Sequence, residues 1–153
     1  MNPAVTFAAA LRKELTWRES ALYVLAQLAL GILGAWCAHL MFELPVLQLS
    51  IKPRNGVGQL LGEGIATFGL ILTILGTLRF RKEWVAGTVA LYISAAYWFT
   101  SSTSFANPAI TVARSLTDTF AGIAAVDVPA FVAAQLVGAT CAAVLARWLF
   151  DEG

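Results

Sequence analysis

Asn2-Pro3-Ala4 and Asn107-Pro108-Ala109 are two copies of one tripeptide, each followed by an apolar run. Asn is a preferred N-cap, and Pro suits the first helical position because the N–H it lacks would go unpaired there. Each copy therefore predicts a helix start, with an amide side chain and unpaired backbone N–H groups at its tip. Such tips can hydrogen-bond a neutral guest; they make and break no covalent bond. Gln27, His39, Glu63, Arg114 and Gln135 are further polar side chains inside apolar stretches. The sequence shows no nucleophile–base pair and no phosphate loop, and one histidine cannot build a metal site. Neither an enzyme nor a cofactor is expected.

Of 153 residues, 59% are hydrophobic and 12% are charged, against about 25% charged in an ordinary soluble domain. So few charges cannot cover that much apolar surface in water, and the expected surroundings are a lipid bilayer. A net charge of +1 gives no reason to expect a nucleic-acid partner. Cys37 and Cys141 both lie in apolar runs and read as buried free thiols. No secretory leader is read, because the Asn-Pro pair follows Met1 with no basic stretch.

The two tips need carriers. Residues 3–12 form a half-helix, rising about 15 Å through a hydrocarbon core of about 30 Å. Residues 108–118 repeat that length, and full spans are read over 21–42, 58–78, 85–99 and 130–150. The expected fold is all-α: a single transmembrane bundle over residues 1–153, with four full spans and two re-entrant half-helices. Trp17 and Trp84 suit membrane interfaces, and the connection 43–57, with Pro45, Pro53 and Gly56, reads as a surface loop. An odd number of spans between the tripeptides brings the half-helices in from opposite faces, tip to tip near the midplane. Each tip carries about +0.5 of a unit charge, so the pair repels cations and protons. A pore for water or small uncharged solutes is the expected product. Arg12, Lys13, Arg18, Arg79, Arg81, Lys82 and Arg147 fall on one side and only Lys52 and Arg54 in the loops of the other, which predicts a cytoplasmic C-terminus.

With its paired motifs, the chain resembles the aquaporin (major intrinsic protein) family, whose half-helix dipoles are a known basis of ion exclusion. The likeness extends to Glu63-Gly64-Ile65-Ala66-Thr67, similar to a Glu-x-x-x-Thr pattern in the family's fourth span. Ala26-Gln27-Leu28 and Ala134-Gln135-Leu136 look like the openings of its third and sixth spans. The resemblance implies a right-handed bundle with one pore per protomer, a homotetramer, and a plasma-membrane location. It implies Asn2 and Asn107 as central donors, supported by Pro3, Ala4, Pro108 and Ala109. It also implies that Glu63 accepts hydrogen bonds from re-entrant backbone; a proton relay is the other reading of an intramembrane carboxylate. Gln27 and Gln135 read as interhelical hydrogen-bond partners.

Two departures stand out. The family usually places Arg directly after the second tripeptide, where this chain has Ile110. Carried over by spacing, the other constriction positions are Ala95 and Ser104, which implies a wide, weakly charged passage. Glycerol-like polyols or undissociated arsenite are then expected to pass with water; bacterial members associated with metalloid transport are similar in lacking this Arg. Arg114 lies four residues past Ile110 and about 6 Å further out. It either charges the outer mouth or pairs with Asp118. The second departure is at the start. The family has two spans before its first tripeptide, whereas Met1 here directly precedes Asn2. An α-amino group near the midplane would cost at least about 2.5–3.5 kcal/mol. The expectation is a truncated or mis-started chain that does not seal a pore alone. The competing reading is thus a non-conducting fragment, or a subunit that needs a partner.

Overall fold

The computed structural model describes residues 2–150, so the Met1 amino group, on which an expectation was placed, lies outside the described residues. Among those residues every regular element is helical. In order they are α1 (Pro3–Leu11), α2 (Trp17–Met41), α3 (Val57–Phe80), α4 (Val85–Phe99), α5 (Pro108–Arg114) and α6 (Val128–Phe150). Short 3-10 turns at Lys82–Trp84 and Ala125–Asp127 lead into α4 and α6. Three helical stretches are long and apolar enough to cross a membrane: α2, α3 and Ala125–Phe150. α4 has 15 residues, so its helix alone is about 22 Å long.

Local chemistry sets the helix ends. α2 opens on a capping box, in which the Thr16 hydroxyl takes the Glu19 N–H at 3.2 Å and the Glu19 carboxylate takes the Thr16 N–H at 2.9 Å. α5 ends at Arg114, short of the expected 118. The Ser115 and Leu116 N–H groups turn back to the carbonyls of Val112 and Ala113. Neighbouring loops take the next carbonyls: Ile123 N–H bonds Arg114, and Ser50 N–H bonds Ser115.

The spine of the bundle is the α3–α6 pair, its largest helix–helix interface. Small residues let the two backbones approach closely. A Cβ on Gly138 would sit 2.2 Å from the Gly64 carbonyl oxygen and 3.1 Å from the Phe68 nitrogen. Both obstacles are backbone, so neither can rotate aside. Gly138→Ala is therefore expected to cost about 1–3 kcal/mol by overpacking. The thermal midpoint of the detergent-solubilised protein would register it; an unchanged midpoint would show slack in the contact. α1 closes the core at one end of this pair, with Ala4 and Ala8 against Ile71, Ala139, Ala142 and Ala143.

Two sequence expectations need correction. Cys37 and Cys141 are free, but both are exposed, because each lies on a helix face that packs against no other element of the described residues. The connection 43–57 is largely exposed, yet Arg54 within it is buried, at 4% exposure. Its guanidinium donates to the carbonyls of Gly122 at 2.7 Å, Ser102 at 2.9 Å and Phe120 at 3.2 Å. Its own N–H is taken by the Asp127 carboxylate at 2.7 Å. Burial, and after it the like charge of Arg114, pulls the Arg54 pKa below its ordinary value, with the Glu63 carboxylate opposing.

Candidate functional site

The two tripeptides meet. Asn2 Oδ1 caps its own helix by accepting the Ala4 N–H at 2.9 Å, while its Nδ2 donates to the carbonyl of Ala106 at 2.7 Å. Ala106 is the residue before Asn107, whose Oδ1 accepts from Ala109 at 3.0 Å and Ile110 at 3.3 Å. The far ends of the half-helices point apart. The carbonyl of Leu11, at the end of α1, accepts from Arg147 near the end of α6. That of Arg114, at the end of α5, accepts from Ile123, just before α6 begins. α1 and α5 therefore run in opposite senses along α6, tip to tip.

Each half-helix is pinned by the same device. Thr6 and Thr111 both lie four residues past their Asn, and each hydroxyl is bonded by a buried glutamine. Gln27 on α2 donates to Thr6 at 3.0 Å, and Gln135 on α6 donates to Thr111 at 2.9 Å. The threonines were a signal present in the sequence, at identical offset in both copies, that motif reasoning alone passed over. Glu63 on α3 has no exposed surface. Its Oε1 accepts the Phe105 N–H at 2.8 Å, and its Oε2 accepts the Ala106 N–H at 2.8 Å and the Gln135 amide at 2.6 Å. With both oxygens engaged by donors, this carboxylate is a brace for the loop. The loop needs one, since Thr103, Ser104 and Ala106 all have positive φ without being glycine.

At the junction lies a cavity of about 310 Å³. Asn2, Asn107, Ser104, Tyr97 and Arg114 supply its polar lining; the remainder, including Val5, Ile93 and Ile110, is apolar. Of the expected constriction residues, Ser104 and Ile110 reach this cavity. Ala95 does not: it is exposed on α4, and Tyr97, two residues on, lines the cavity. α4 is apolar on every side, so its rotation about its axis is not readable from hydropathy. A second cavity, of about 410 Å³, lies against Trp98, Thr103 and Phe120, and shares Tyr97 and Arg114 with the first. Pro3, Ala4, Pro108 and Ala109 are buried behind the tips, where small residues leave room for neighbouring backbone. The Ala109 carbonyl would come within 3.4 Å of a Cβ at Gly31 on α2.

The profile described as Major intrinsic protein matches residues 1–104. The chain belongs to the major intrinsic protein family. It is 57% identical over 150 residues to "Aquaglyceroporin AqpS" of Rhizobium meliloti (strain 1021), covering 98% of this chain and 64% of that protein. It is 32% identical over 114 residues to "Aquaglyceroporin-3" of Trypanosoma brucei brucei, covering 69% of this chain and 35% of that protein. The chain thus spans less than two-thirds of the length of either relative. No solved structure matches it significantly. As a member of the major intrinsic proteins with an all-helical bundle of membrane-length helices, it is an aquaporin-like integral membrane protein.

Proposed function

We propose that the protein is a passive channel for water and small neutral solutes, glycerol-like polyols and undissociated arsenite among them. The observation that carries this reading is the single cavity shared by Asn2 and Asn107, at which two oppositely running half-helices end. Their N-terminal dipoles make the centre hostile to cations, while the amides can hydrogen-bond an uncharged guest. Ile110 and Ser104 add no charge to the lining, which supports passage of solutes larger than water. The names of both relatives, aquaglyceroporins, agree with that solute class. No covalent step is involved.

The assembly we propose is a homotetramer in the plasma membrane, with a cytoplasmic C-terminal end. Supporting that orientation, Arg12 and Arg79 line one small hollow with Phe150, while Lys52 and Arg54 bond to the loop at the other end of the bundle. Stopped-flow swelling of liposomes containing the purified chain tests the reading. Glycerol and water permeabilities above those of protein-free vesicles are expected; permeabilities equal to bare lipid would overturn it. A second reading, a subunit that conducts only with a partner, is favoured by one feature. A groove of about 320 Å³ beside α2 and α5 leaves Ile110 36% exposed on the flank of the cavity. Flux that appears only on co-reconstitution with a longer relative would select that reading.

A further inference from the structure

Arg114 stands where the two cavities join. The inner one holds Asn2 and Asn107, the outer one is bounded by Trp98 and Phe120, and Tyr97 and Arg114 border both. The guanidinium carbon lies 4.2 Å from the centroid of the Phe105 ring, and the Tyr97 side chain interacts with it from α4. The ring beneath is itself immobilised. Its backbone N–H is held by Glu63, its edge packs on Phe131 at 5.4 Å, and Arg54 lies 4.8 Å from its centroid. Cation–π contact of this kind positions a cation without neutralising it.

Nor does Asp118 neutralise it. Among the described residues no ion pair joins the two: the Asp118 carboxylate takes the Ile51 N–H at 3.4 Å, and its backbone N–H goes to Gln48 at 3.0 Å. Glu63 attracts the guanidinium through space, but it spends both oxygens on other donors and forms no ion pair with Arg114 among the described residues. The C-terminal turn of α5 also favours a positive charge.

We infer that Arg114 is the charge-selecting residue of this pore: its guanidinium, seated over Phe105 at the junction that Tyr97 also lines, bars cations from passing between the outer and inner cavities. Ile110, being apolar, cannot do so, and the fixed charge is delivered instead from one turn further along the same half-helix. This deepens the channel reading and rests on it. A fixed positive charge in a low-dielectric passage acts strongly on ions and weakly on neutral solutes.

The test reads electrostatic potential inside the cavity and requires no flux. Cys37 and Cys141 are replaced by Ala, and Ile93, which lines the inner cavity one turn before Tyr97, is replaced by Cys. Reaction rates of anionic and cationic methanethiosulfonates at this thiol are each divided by that of a neutral one, so that changes in cavity shape cancel. Removing the charge by Arg114→Ala is expected to lower the anionic-to-cationic ratio at least about tenfold, whereas Arg114→Lys keeps it within about twofold. Arg114→Gln, which preserves length and polarity, should behave as the Ala variant does. A ratio that is the same in all four proteins overturns the inference. Absence of solute flux in liposomes would instead remove the channel reading, leaving the labelling ratio to decide on Arg114.

Discussion

Glu63→Ala is expected to destabilise the protein by about 3–6 kcal/mol. Three buried donors lose their acceptor at once: the N–H groups of Phe105 and Ala106 and the amide of Gln135. Each buried unsatisfied donor costs about 1–3 kcal/mol, and no solvent reaches this site to compensate. The loop they belong to also loses the restraint that holds Thr103, Ser104 and Ala106 at positive φ. Glu63→Gln should fall between, since its amide keeps one acceptor oxygen and turns an N–H group towards a donor. The order wild type, Gln, Ala in thermal midpoint, with swelling activity lost in parallel, is the expected outcome. A midpoint for Glu63→Ala within a degree of wild type would show that the carboxylate braces nothing.

Arg54→Leu should cost about 3–5 kcal/mol, the range for breaking a buried charged network by removing one partner. Three carbonyls, of Ser102, Phe120 and Gly122, lose their shared donor. These belong to two different loops, so the guanidinium is the rivet joining the segment after α4 to the segment after α5. Lysine is not a conservative replacement. An ammonium is a point donor and cannot reproduce the planar fork that reaches all three oxygens. Arg54→Lys is therefore expected to recover less than half of the lost stability. Limited proteolysis locates the damage: cleavage should appear first between residues 115 and 127. If Lys restores wild-type resistance, charge alone matters there and the fork geometry does not.

The elements that rest on a repeated signal were legible in the sequence. Asn-Pro-Ala is a helix start by propensity, and two copies with half-membrane helices behind them describe a paired structure from the sequence alone. Glu63 was legible as a carboxylate too deep in an apolar run to be solvated, and its acceptor role followed from the family resemblance. Other features were not written in any local pattern. Arg54 sits among Pro, Asn and Gly, a composition that signals a surface loop, and its burial arises only when two distant loops fold over it. That Tyr97 lines the inner cavity was not legible either, because a largely apolar helix gives no cue to its rotation. The link of each threonine to its glutamine spans residues 6 to 27 and 111 to 135. It was recoverable only by laying the two copies side by side and asking which polar residues recur at equal offset.

α6 touches both half-helices, α1 along one part of its length and α5 along another, while α3 is locked to it through glycine backbone. A rod that carries both jaws of a vice sets the gap between them whatever its own inclination. If α6 leans as the bilayer thins or thickens, both half-helices are carried with it, and the spacing of Asn2 and Asn107 is expected to be kept.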